Sequence, residues 1–167
     1  MPQSAALAVV EENHYSPGEN LERLDLAHIQ SARRSLDIAM YAFTDRYLAE
    51  AIVRAARSGV RVRLYRDREQ FEDEQRQTAG RRSPSTTEIL LANSNIEIRV
   101  KSSRELMHLK AYCVDGVLLR DGSANWSTSG LKRQDNNARY TTNSSQVQQF
   151  QQLFEELWAG NNAKVSF

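Results

Sequence analysis

MHLKAYCVDGVLLRDGSAN, residues 107–125, decides the fold. Two largely apolar runs, HLKAYCVDG and VLLRDGS, meet at Asp115-Gly116, a dipeptide suited to a tight hairpin turn, so the stretch reads as two consecutive strands. Residues two apart in a strand share a face. His108 and Lys110 therefore point one way, and Leu109 points into the core. An imidazole beside an ammonium makes a poor core pair and a good anion site: the lysine supplies charge and the histidine supplies chemistry. Ser123 and Asn125, at the end of the second strand, offer a hydroxyl and amide donors, and Gly122 lets backbone and ligand approach closely. Lysine and asparagine aimed at one oxyanion are what phosphoryl transfer requires.

Upstream, elements alternate. Residues 20–35 carry Leu21, Leu24, Ala27, Ile29 and Ala32 at helical spacing. LDIAMYAF (36–43) has strand length, and TDRYLAEAIVRAARSG (44–59) reads as a helix with Thr44 or Asp45 as its cap and Gly59 as its stop. VRVRLYRD (60–67) reads as a strand with its arginines on one face. Residues 68–85 are polar, mixed in charge and without apolar periodicity, which predicts a long flexible loop, with partial helix as the alternative. Ser85 and Glu88 match a capping box for the next helix, and IEIRV (96–100) follows as a strand. A last helix begins near Ser145, with Val147, Phe150, Phe154, Leu157 and Trp158 on its apolar face. This alternation predicts an α/β protein whose sheet contains parallel strands.

The 167 residues suit one domain with a sizeable core, and residues 1–13 read as an N-terminal extension. A formal charge of +1 means that any positive surface must be local. One cysteine excludes an intrachain disulfide framework, and with three dispersed histidines no metal site is readable. No segment approaches the roughly 18 apolar residues of a membrane span. AALAVV (5–10) is too short, and no complete signal peptide is visible, so cytoplasmic and exported forms both fit.

His108-x-Lys110, four residues, Asp115, six residues, then Gly122-Ser123-x-Asn125 resembles the complete HKD signature of the phospholipase D superfamily. HYSPGENLE, SLDIAMYAFTDRYLAEAI and SGVRVRLYRD resemble the corresponding blocks of its small bacterial single-motif endonucleases, so the likeness covers most of the chain, 68–85 excepted. The resemblance implies an α/β/α sandwich around a mixed, mainly parallel sheet, with the site at strand ends. It implies two-step phosphodiester hydrolysis through a phosphohistidine, with no metal and no cofactor. That chemistry uses two motifs and this chain has one, so the resemblance further implies a homodimer with the site across a twofold axis. His108 would be nucleophile in one subunit and acid–base group in the other, and Lys110 and Asn125 would hold the phosphate oxygens. Ser123 would support phosphate or histidine, and Asp115 and Gly122 the turn. In many relatives a glutamate eleven residues after the motif asparagine orients the histidine. Here that position is Asn136, flanked by Asp135 and Asn137.

DNA is the expected substrate, with RNA as an open second candidate and with little sequence preference. Lys132 and Arg133 are expected to contact a nucleic-acid backbone, while Arg63 reads equally as solvated charge or phosphate contact. Cys113, Trp126, His14 and His28 read as structural. A phospholipase D-type lipid hydrolase and a nucleic-acid-binding module with a weakened site are the alternatives. No amphipathic basic helix argues for stable membrane association.

Overall fold

A computed structural model describes residues 8–166. The start of AALAVV and most of the expected N-terminal extension lie outside the described residues. The chain runs β1 (Glu11–Ser16), α1 (Leu21–Ser31), β2 (Ser35–Met40), α2 (Arg46–Arg57), β3 (Arg61–Arg66), α3 (Arg68–Thr78), α4 (Thr86–Leu91) and β4 (Ile96–Lys101). It continues through β5 (Lys110–Val114), β6 (Leu118–Gly122), α5 (Thr128–Lys132), β7 (Asn136–Thr141), α6 (Ser144–Ala159) and β8 (Asn162–Lys164). Among the described residues the strands form one sheet in the order β1-β7-β6-β5-β2-β3-β4-β8.

The sheet is mixed, as expected, but it is not mainly parallel. Only β2–β3 and β3–β4 pair parallel, and the other five neighbouring pairs are antiparallel. The cause is the change of connection after β4. Helical crossovers give way to the Asp115-Gly116 hairpin between β5 and β6, α5 carries the chain back into β7, and the remaining antiparallel pairs join strands distant in sequence. Asp115 and Gly116 both have positive φ (56° and 68°), the geometry of the tight hairpin turn that this dipeptide favours.

The two sheet faces bury separate cores. Leu36, Ile38, Met40, Val62, Leu64 and Tyr112 face α1 and α2, joined by Phe43 and Trp126. Ala39, Tyr65, Ala111 and Cys113 face α6, whose Val147, Phe150, Phe154 and Trp158 fall at helical spacing on one side. The result is the α/β/α sandwich. Cys113 is buried here and its thiol is pushed up to about 12, first of all by burial, so it stays an inert core residue.

Local chemistry explains most boundaries. Asp45 caps α2, Asn143 caps α6, and Ser85 and Glu88 form the reciprocal capping box that starts α4. Two expectations need correction. Residues 68–85 are not one loop: Asp67 caps α3, whose buried Glu74 pairs with the buried Arg66 and bonds Thr86 and Thr87. A helix that buries an ion pair shows no apolar period. Residues 11–13 are not extension either, because β1 pairs along β7 from Glu11 to Ser16.

Candidate active site

The parallel strands β2 and β3 end beside the start of the antiparallel β5, so their following loops converge on one end of the sheet. There Lys110 opens β5, paired across from Met40, and His108 lies just before it. His108 is exposed, Lys110 is buried, and Leu109 packs on the α6 side. The alternation read from the sequence therefore holds through this segment, although regular strand begins only at Lys110.

Lys110 Nζ donates to His108 Nε2 at 3.0 Å and to the His108 carbonyl at 2.8 Å. An ammonium only donates, so in this contact Nε2 accepts, and whenever the ring is neutral its proton sits on Nδ1. The Nε2 lone pair thus faces the one cation of the cluster. Burial lowers the pKa of Lys110 from its ordinary value. Asn125 lies across the β2–α2 loop, its Oδ1 accepting from the Ala42 backbone N–H at 3.3 Å, which leaves its amide donors for a ligand. The Trp126 carbonyl accepts from the Thr44 and Asp45 N–H groups, and this fixes the loop that carries Asn125. Trp126 itself is fully buried, edge-on to Phe43, so it packs rather than stacks on a base.

Gly122 has φ +138°, and a Cβ there would meet the Asn137 carbonyl at 2.4 Å. The glycine is therefore required by β7 rather than by a ligand. Ser123 is held on the same strand: its Oγ donates to Asn136 Oδ1 at 2.9 Å and accepts from the Asn137 N–H. Asn136 Nδ2 donates to the Gly130 carbonyl. Asn136 thus braces Ser123 and makes no hydrogen bond to His108. Asp115 lies at the far end of β5, where it accepts from the N–H groups of Arg33, Arg34 and Ser35. Burial would raise its carboxyl, but those three donors outweigh burial and hold it below the usual range.

Of the cations expected at substrate, only Arg133 stands exposed. Lys132 Nζ is 2.9 Å from both Glu22 oxygens, and Arg63 lies under α6 between Asp37 and Glu155. Two further arginines lie elsewhere: Arg46 and Arg81, with the Arg66-paired Glu74, line a cleft of about 370 Å³ that also includes Thr44 of the site loop.

Four polar residues supporting the site escaped the sequence reading. Asp25 of α1 is fully buried and accepts from Tyr112 Oη, Tyr140 Oη, Trp126 Nε1 and Arg120. Arg120, equally buried, donates its other terminal nitrogen to the carbonyls of Lys110 and Ala124, at 2.9 and 3.2 Å. One guanidinium thereby sets the spacing between the lysine strand and the asparagine loop. A trace was visible: Leu21, Asp25 and Ile29 share one helix face, and Arg120 interrupts an apolar strand. The others, Tyr41 and Asp67, contact the histidine segment.

Asp45 carries a pH-dependent strain. Burial raises its carboxyl to about 6 against the Leu48 N–H, with Glu22 beside it raising it further. The folded chain then keeps a proton that the unfolded chain releases near pH 4. Stability contributed in this way falls as pH rises from about 4 to about 6. Asp45→Asn should flatten that stretch of a plot of urea midpoint against pH, and an unchanged slope would assign it to another group.

The fold agrees with the comparisons. The family model described as "Cardiolipin synthase, PLD-like domain" matches residues 26–158. The chain belongs to this phospholipase D-like family of phosphodiesterases. The human mitochondrial cardiolipin hydrolase is 30% identical over 148 residues, 88% of this chain and 54% of that protein. This chain spans about half the length of the curated relatives it matches. NUC of Salmonella typhimurium, a phospholipase D family member, superposes with a TM-score of 0.80 at 22% identity, covering 96% of this chain and all of that one. NucT from Helicobacter pylori gives 0.79, at 22% identity and with the same coverage.

Proposed function

We propose that this chain is a phosphodiester hydrolase acting on DNA, and on RNA with it, through a phosphohistidine, in a site completed by a second copy. The observation that carries the reading is the exposed His108 with its Nε2 against Lys110, with Asn125 bonded to Ala42, the residue next to the Tyr41 that touches His108. When a phosphodiester enters, the ammonium and the amide bind its nonbridging oxygens, so Lys110 passes its hydrogen bond from Nε2 to phosphate. Nε2 then attacks phosphorus and the bond to the leaving oxygen breaks. That oxygen takes a proton from an imidazolium, and His108 of the partner subunit is its source. The neutral partner imidazole next takes a proton from water, the water oxygen attacks phosphorus, and the P–N bond breaks. Each step balances with two histidines and no further reagent.

Nucleic acid is favoured by the cleft of Arg46 and Arg81 adjoining the site loop, which suits backbone phosphates beside the scissile one. Lipid is the second reading, because the curated relatives are named as cardiolipin hydrolases. The test offers plasmid DNA, single-stranded DNA, RNA and cardiolipin vesicles in excess EDTA, with His108→Ala controlling for contaminating nuclease. Cleavage of nucleic acid by wild type alone supports the proposal. Release of lipid product alone moves the substrate to cardiolipin. Activity abolished by EDTA would overturn the metal-independent route.

A further inference from the structure

We propose that Tyr41, locked from α3 by Gln70, is the positioning residue for His108 and Lys110, in place of a carboxylate on the imidazole. The inference rests on the phosphodiesterase reading above.

Tyr41 follows β2, and its backbone N–H bonds the Leu109 carbonyl at 2.9 Å, within the histidine segment. Its ring meets the His108 ring edge-on, with centroids 4.5 Å apart, and Lys110 Nζ lies 4.9 Å from the same ring's centroid. One aromatic ring therefore touches both partners of the Lys110–His108 hydrogen bond. The edge-on contact limits imidazole rotation, and the ring face attracts the ammonium. Asn136 is spent on Ser123 and the Gly130 carbonyl. Among the described residues no carboxylate bonds His108, and aromatic contact is the restraint the ring does have.

The tyrosine is itself fixed. Gln70 Nε2 donates to Tyr41 Oη at 3.2 Å. Asp67, which caps the same helix, accepts from the Gln70 N–H with Oδ1 and from the Met107 N–H with Oδ2, at 3.0 and 2.9 Å. Helix α3 thus reaches the nucleophile by two struts, one to its ring through Tyr41 and one to its backbone through Met107. A segment with no apolar pattern has a job at the site.

Tyr41 touches the reacting side chain and the lysine that faces it, so its loss should fall chiefly on turnover. Tyr41→Leu removes the ring; Tyr41→Phe and Gln70→Leu remove only the lock. On the phosphodiester that wild type hydrolyses, Tyr41→Leu is expected to lower kcat at least about tenfold with KM within about twofold. Tyr41→Phe and Gln70→Leu should each cost about two- to fivefold, and their double variant no more, because they delete one hydrogen bond. The ligand-free readout is the His108 tautomer by long-range 1H–15N correlation, assigned with His108→Ala. Wild type should show the Nδ1–H form, and Tyr41→Leu a mixture of both. A kcat within twofold of wild type, or an unchanged tautomer in a folded Tyr41→Leu protein, overturns the proposal. A wild type that cleaves no phosphodiester sinks the enzymatic reading instead, and the tautomer result still decides the role of Tyr41.

Discussion

A subunit carrying His108→Ala is expected to lose at least about a thousandfold in turnover, because no other imidazole lies in the cluster to form the P–N bond. Its fold should survive: His108 is exposed, and its ring contacts are the Tyr41 ring and the Lys110 ammonium. The more telling experiment mixes it with wild type. If each active dimer takes one His108 as nucleophile and the other as acid and base, a hybrid dimer has one role unfilled. Co-refolding the two chains randomises subunits, so activity should follow the square of the wild-type fraction. An equal mixture would then keep about one quarter of the undiluted activity, not the roughly one half expected of independent sites. A linear decline would sink the shared site and leave a monomer that must find its general acid elsewhere. Sedimentation of the same samples separates a missing dimer from a dimer whose sites lie apart.

What could be read from the chain, and what could not, divides by the range of the interaction. The Ser85–Glu88 capping box, the Asp115-Gly116 turn and the alternation of His108, Leu109 and Lys110 are decided within a few residues, and all are found as read. β7, with the sequence NNARYT, was missed because it gains strand character from its neighbours β1 and β6, not from an apolar pattern. β1 (EENHYS) is the polar edge it pairs with, and α3 hides its buried face in the Arg66–Glu74 pair. The parallel share was overstated because the helix–strand alternation of the first half does not continue past β4. For the candidate site, His108, Lys110 and Asn125 are picked out by strand alternation together with the resemblance to the HKD signature. Tyr41, Gln70 and Asp67 are not, since they meet the histidine segment only because β5 lies beside β2, and β2 beside β3. Lys132 and Arg63 show the converse: a basic residue near a motif is no sign of a free cation once Glu22, Asp37 and Glu155 are in place.

Asp25→Ala should cost about 3–5 kcal/mol of stability, the largest loss expected of any single polar truncation here. Both Asp25 and Arg120 have no solvent exposure. Their attraction is offset by the cost of burying two charges, so the pair as a whole adds little net stability. Removing the aspartate alone is different: it leaves a buried guanidinium with two carbonyls and no countercharge, and deprives Tyr112, Tyr140 and Trp126 of their acceptor. Asp25→Asn keeps the shape and part of the acceptor capacity, and should fall between wild type and Asp25→Ala. Asp25→Ala with Arg120→Met should lose less than the two single losses added together, because the second change removes the stranded charge. Urea midpoints of the four proteins close this cycle. Additive losses, or an Asp25→Ala cost under about 1 kcal/mol, would show that the pair is screened and not buried as described. The same network bears on chemistry, since Arg120 spans the carbonyls of Lys110 and Ala124. The double variant, even where folded, should therefore turn over more slowly than wild type, as the lysine and the asparagine lose their common anchor.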